Sequence, residues 1–237
     1  QERLLDLLPR LLRDLSDVEN AEETLERVLQ LIQAVVRRSA YLLLLAENPS
    51  ARAQLVKLCS ASPWFAEKLA HQPVLLDELI DAAALFKPPD AEALSNELRQ
   101  QLMRIPEDDI EQLMEALRYF RNAHILRVAA ADITEALPLM KVSDYLTWLA
   151  EAILQAVLEI AWRDMTTKYG TPQRSAGVPC DQDFVIIGFG KLGGIELSYG
   201  SDLDLVFVHD APSNLMTIGG NKEIANDVFF TRLGQRI

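Results

Sequence analysis

Two carboxylates, Asp202 and Asp204, stand one residue apart in the run Ser-Asp-Leu-Asp-Leu-Val-Phe-Val. No other feature of this 237-residue chain restricts its folding as strongly. The run has the apolar, β-branched character of a strand, yet a strand that buries two uncompensated acids is not stable. Residues i and i+2 of a strand project to one face. The two acids are therefore expected side by side, with Leu203 and Leu205 opposite. So placed they repel each other, and one would be driven to hold a proton. A divalent cation removes the conflict, and Mg2+ takes carboxylate oxygens together with substrate phosphates.

The residues just ahead supply what such an ion would serve. Phe184-Val-Ile-Ile187 is an unalternated run that predicts a strand buried on both faces. Gly188, Gly190, Gly193 and Gly194 follow, with Lys191 among them. Glycines admit positive φ and close backbone approach, successive N–H groups in such a turn cradle an anion, and Lys191 adds a cation. A glycine cluster alone is usually a tight turn, and a lone pair of spaced acids is usually a strand end. The joint order is far more specific: strand, glycine turn, Ser201, paired acids, strand, with ten residues between Lys191 and Asp202. It points to a nucleoside triphosphate with its metal. Gly188-Phe-Gly190-Lys-Leu-Gly193 matches a dinucleotide fingerprint literally, but the ribose-binding acid of that motif lies about 20 residues on, and Asp202 and Asp204 come too early. The Gly-Lys-Ser/Thr of a P-loop is absent.

The first ~170 residues read as helix after helix, with apolar residues at three- and four-residue spacing. Glu22 to Val36 presents Leu25, Val28, Leu29, Ile32 and Val35 on one face. Val35 to Leu45 reads as helical core. Pro49, Pro63 and Pro73 open helices, where a missing N–H costs nothing, and Asp90 caps another. Pro106 with Glu107, Asp108 and Asp109 is expected in the first turn of a long helix reaching about Asp132. A further helix is expected from about Ser143 to Thr167, with Lys141, Ser143 and Asp144 at its start. Arg118, Arg121 and Arg127 read as a solvated face, and Trp64, Trp148 and Trp162 as core. From Gly170, "GTPQRSAGVPCDQD" reads as a linker, "DAPSNLMTIGGN" as a loop, and Lys222 onward as a helix.

Hydrophobic residues make up 49% of the chain and charged residues 24%, enough for a sizeable core. The net charge of -12 argues against nonspecific nucleic-acid binding. Cys59 and Cys180 lie far apart with no disulfide or zinc pattern, as suits a reducing cytoplasm. No stretch approaches the ~18 uninterrupted apolar residues of a membrane span. No targeting leader is visible, and a start at Gln1 suggests a piece of a longer chain.

Gly-x-Gly-Lys-Leu-Gly-Gly-x-Glu-Leu followed by Gly-Ser-Asp-Leu-Asp-Leu resembles the signature of bacterial glutamate–ammonia-ligase (glutamine synthetase) adenylyltransferases, within the DNA polymerase β-like nucleotidyltransferases. "LRVAAADITEALPLMKVSDYLTWLAEAIL" and "NDVFFTRLGQRI" are similar to the helices flanking that signature. The resemblance implies an α+β protein: a mainly helical bundle, then the first strands, βαβ-like, of a polymerase β-like domain. It implies a helical connector over 1–104, long helices over 105–168 and the opening of the nucleotidyltransferase domain over 169–237. It implies AMP transfer from Mg·ATP to a tyrosine of glutamine synthetase, regulating nitrogen assimilation, with the PII signal protein as a further partner. Asp202 and Asp204 would be catalytic metal ligands, and Gly190, Lys191, Gly193, Gly194 and Ser201 would line the triphosphate. The superfamily's third carboxylate would lie beyond Ile237, so this stretch alone is expected to be inactive. Two alternatives stay open: the phosphate-dependent deadenylylating copy of the same family, and a helical module that docks glutamine synthetase or PII without catalysis.

Overall fold

A computed structural model describes residues 2–16 and 18–237. The chain divides into two compact units. One runs to Pro88 and adds Asn122–Leu139; the other comprises Pro89–Arg121 and Met140–Ile237.

The first unit is helical. It holds α1 (Glu2–Leu15), α2 (Ala21–Val35), α3 (Ser39–Glu47), α4 (Pro49–Ala61), α5 (Pro63–His71), a 3-10 helix over Pro73–Leu79 and α6 (Ala82–Leu85). Of the stripe predicted over Glu22 to Val36, Val28, Ile32 and Val35 are buried and Leu25 and Leu29 half-buried, while Leu31, Leu55, Leu58, Leu69 and Leu76 are fully buried with them. Local chemistry starts the helices. Asn48 accepts from the Ala51 N–H at 3.0 Å and Ser62 from the Trp64 N–H at 3.3 Å, each followed by proline. Val35 to Leu45 is not one helix. Arg37 and Arg38 occupy an exposed turn between α2 and α3, because two cations cannot join an apolar stripe without a partner. Arg127 does not lie on a solvated face. Its Nε donates to Glu78 at 2.7 Å with both side chains mostly covered. Arg52 is buried, donating to Asp14 at 2.7 Å and to the Leu45 and Ala46 carbonyls.

The second unit carries α7 (Ala91–Leu102), part of α8 (Ile110–Ile133) and nearly all of α9 (Leu139–Tyr169). Asp90 caps α7 as expected, accepting from the Ala93 N–H at 2.9 Å. The acids after Pro106 precede α8 rather than filling its first turn. Asp109 caps the helix, accepting from the Gln112 N–H at 2.9 Å. Helix α9 is longer than its stripe suggested. Lys141 and Asp144 lie inside it as an ion pair of 2.8 Å, one turn apart on the same face.

After α9 come β1 (Gly170–Thr171), β2 (Gln173–Ser175), β3 (Val178–Pro179), β4 (Phe184–Phe189), α10 (Gly190–Gly193), β5 (Asp204–His209), β6 (Ile218–Gly219) and α11 (Asn226–Arg236). The expected linker is thus structured: β2 pairs with β3, and β1 pairs with β6 from the expected loop. Side-chain amides hold it. Buried Asn226, from which α11 starts, donates to the Gln173 carbonyl at 2.7 Å and the Pro212 carbonyl at 2.9 Å. Strands β4 and β5 are antiparallel, Phe184 opposite His209 through Phe189 opposite Asp204. Their link is a turn and not the βαβ crossover expected. The inner face packs on α9 and α11, where Phe184, Leu158, Met165, Phe229, Phe230 and Leu233 form one buried cluster. Strand β4 is not buried on both faces: Val185, Ile187 and Phe189 are 57%, 41% and 53% exposed. An antiparallel pair needs only one covered face. Helix α11 starts at Asn226 and not Lys222.

Two measurements follow from the buried groups. Replacing Arg52 by Met takes the guanidinium from Asp14 and from the Leu45 carbonyl, while the Ala46 carbonyl keeps Arg10 at 2.7 Å, and should cost about 3 kcal/mol in urea unfolding. Burial pushes both thiols up, Cys59 to about 12 against the opposing pull of Arg27. A raised folded value means the stabilisation is complete below the thiol's ordinary value near 9 and is lost as pH rises from there toward about 12. Unfolding followed against pH should show that decline, with Cys59→Ala flattening it.

Candidate nucleotide site on the glycine turn

The site begins where β4 ends. Gly190 takes φ +55 and opens the single turn α10. It is the one glycine of the four that uses the left-handed region; Gly188, Gly193 and Gly194 do not. Close approach explains two of these positions. A Cβ on Gly190 would run into Oδ2 of Asp204, and one on Gly193 would lie 2.6 Å from the Gly188 carbonyl oxygen. The cross-strand pair Phe189–Asp204 sets the first contact, bringing the acid over the glycine turn although fourteen residues separate them.

The turn closes with a left-handed cap. The Glu196 N–H bonds to the Lys191 carbonyl at 2.8 Å and the Ile195 N–H to the Leu192 carbonyl at 3.2 Å, the bonding pattern that ends a helix on a left-handed residue. That residue is Ile195 at φ +56. Leu192 is buried beneath, and Lys191 is exposed with no ion pair among the described residues.

Asp202 and Asp204 are both exposed and likewise free of ion pairs. Strand β5 begins at Asp204, so Asp202 lies in the loop before it and the shared face expected from strand geometry applies to Asp204 alone. Ser201 uses its hydroxyl locally: its Oγ accepts from the Ser198 N–H at 2.9 Å and lies 2.8 Å from the Ser198 Oγ. The structure therefore brings Gly190, Lys191, Gly193, Gly194 and Asp204 together, with Asp202 two residues before Asp204 and Ser201 shaping the loop. Among the described residues no group of three His, Cys, Asp or Glu side chains is arranged to hold a metal ion. Spacing gave no warning of Ile195, since a β-branched residue is rare in that conformation. His209, read only as a strand residue, lies on β5 stacked 4.1 Å from Phe230, away from the acid end.

By fold class this is an α+β chain, helices leading into short antiparallel strands with an acid set over a glycine turn. The chain belongs to the glutamate-ammonia ligase adenylyltransferase family, whose model matches residues 52–237. It is similar to proteins named bifunctional glutamine synthetase adenylyltransferase/adenylyl-removing enzyme. One from Pseudomonas syringae pv. tomato is 59% identical and one from Pseudomonas aeruginosa 58%, each over 237 residues. One from Thioalkalivibrio sulfidiphilus is 50% identical over 238 residues. All of this chain is covered in each case, but it spans only 24% of each relative's length.

Gly190→Ala is the direct test of the close approach. It forces a side chain into the left-handed region, at about 1–2 kcal/mol, and displaces the Asp204 carboxylate. Urea unfolding should register the loss, and a carboxyl chemical-shift change at Asp204 should accompany it.

Proposed function

We propose that this chain is the nucleotide-binding part of an adenylyltransferase that moves AMP from ATP to a tyrosine of glutamine synthetase, and so regulates nitrogen assimilation. The observation that carries the reading is the Asp204 carboxylate held against Gly190. A carboxylate beside a turn that can cradle an anion is the arrangement that a cation and a phosphate would complete. The names of the relatives supply the acceptor protein.

In this reading the backbone of Gly190, Gly193 and Gly194 approaches the triphosphate without side-chain obstruction. Lys191, exposed and uncompensated, provides a charge-assisted contact, and Ser201 holds the loop that delivers Asp202. The donor set fits Mg2+: two exposed carboxylates, hard oxygen ligands free of other partners. Asp202 and Asp204 would hold the ion, which when bound offsets phosphate charge. The resemblance of the motif and its helical lead-in favours the adenylylating direction over phosphate-dependent removal. PII as a partner and the cytoplasm as compartment belong to the same reading. Among the described residues no helix is long and apolar enough to cross a membrane.

Two measurements test it. Lys191→Met should weaken Mg·ATP binding by about 1–3 kcal/mol in isothermal titration, with the fold intact because the side chain is exposed. Asp202→Asn with Asp204→Asn in the longer enzyme should abolish labelling of glutamine synthetase by ATP. Relief of charge repulsion should leave the ion-free protein at least as stable. A large fall in its melting temperature would make the acids structural.

A further inference from the structure

We propose that the pocket along the free edge of β4 receives the purine base of the nucleotide whose phosphates the glycine turn holds; this rests on the phosphate-binding reading of that turn. The pocket has a volume of about 540 Å3 and is lined by α9, β4 and α10 residues of a single unit.

Its walls suit a flat heteroaromatic ring. Leu154 and Leu158 of α9 line it together with Leu192 and Ile195 of the turn, apolar surfaces on which a planar base can lie. The remaining wall is backbone. Strand β4 pairs only with β5, so its other edge is unpaired among the described residues. In an antiparallel pair, alternate residues turn their N–H and C=O groups away from the partner. The Gly188 carbonyl oxygen lies close to Gly193, and Ile186 stands two residues earlier on the same strand. Both line the pocket. An unpaired strand edge offers a donor and an acceptor, which is what the rim of a purine requires.

Two further observations fit. Ile195 keeps φ +56 where a glycine would sit without strain. Strain in a β-branched residue calls for a use of its side chain, and that side chain lines the pocket, 53% exposed. Glu151 also lines the pocket. Gln155 is already tied to Glu159 at 2.7 Å, whereas the Glu151 carboxylate has no partner among the described residues. It can accept from an exocyclic amino group such as adenine carries, and it repels the carbonyl that guanine presents there. Gly188, Leu192 and Gly193 belong both to the pocket and to the stretch that carries Lys191. The pocket therefore adjoins the glycine turn.

The test titrates Mg·ATP, Mg·GTP and Mg·tripolyphosphate into the 237-residue chain and two variants. Leu154→Trp fills the pocket from α9, and Glu151→Ala removes the acceptor. Leu154→Trp should lose at least about tenfold in ATP affinity and keep its tripolyphosphate affinity. Glu151→Ala should narrow the preference for ATP over GTP by about tenfold, the scale of one hydrogen bond to a charged group. Circular dichroism checks each fold, and if Leu154→Trp does not fold, the selectivity of Glu151→Ala decides. Unchanged ATP affinity in a folded Leu154→Trp, or an unchanged ATP-to-GTP ratio in Glu151→Ala, overturns the base pocket while tripolyphosphate binding leaves the glycine turn standing. If the wild-type chain binds neither ATP nor tripolyphosphate, the phosphate reading falls, and the base pocket with it.

Discussion

The packing of Phe184 and Phe207 against Phe229, Phe230 and Trp162 is the interaction on which the candidate site depends. Phe184 stacks at 5.4 Å on Phe207 and 6.0 Å from Phe230, and Trp162 meets Phe229 edge-on at 5.5 Å. A lone two-stranded sheet is marginal in water. Here β4 and β5 persist because their inner face shares one aromatic cluster with α9 and α11. Gly234 belongs to that fit: a Cβ there would press on the Phe207 ring at 3.0 Å. Once the pair is held, its register is set, and register alone places Asp204 over Gly190.

The other face of the same pair shows the converse. Val185, Ile187, Phe189, Val206 and Val208 are exposed side by side, while the acid lies at the end of that face, beside the turn. Charge is kept where water or a ligand can reach it, and apolar packing is given to the opposite side. That division is how an apolar run tolerates two carboxylates: they are not buried at all. The Asn226 amide contributes in the same unit, joining β2, the 212–216 loop and the start of α11, so that α11 presents its aromatic face to the strands.

Much of the site was legible in the chain because it is local. The glycines, Lys191 and the two acids lie within seventeen residues, and their chemistry survives any reasonable path between the strands. The helical stripes were legible for the same reason: Val28, Ile32, Val35 and Leu55 are buried in helices close to where spacing put them. The errors fall where non-local contacts rule. Phe184–Ile187 looks like a strand covered twice, but its burial depends on how many layers the fold supplies. "GTPQRSAGVPCDQD" looks like a linker because the partner strand of β1 and the Asn226 anchor lie 47 to 53 residues on.

The sequence by itself determined the helical first part, the helix starts at Pro49 and Pro63, the cap at Asp90, and the juxtaposition of a glycine turn with paired acids, since each is a matter of neighbouring residues and backbone stereochemistry. Only the tertiary structure decided that β4 and β5 are antiparallel, that Asp204 and not Asp202 starts the strand, that Ile195 carries the left-handed cap, and that Arg127 finds Glu78. These depend on groups brought together from far along the chain. No spacing rule encodes such meetings, because their free energy comes from the shared desolvation of surfaces that exist only after folding.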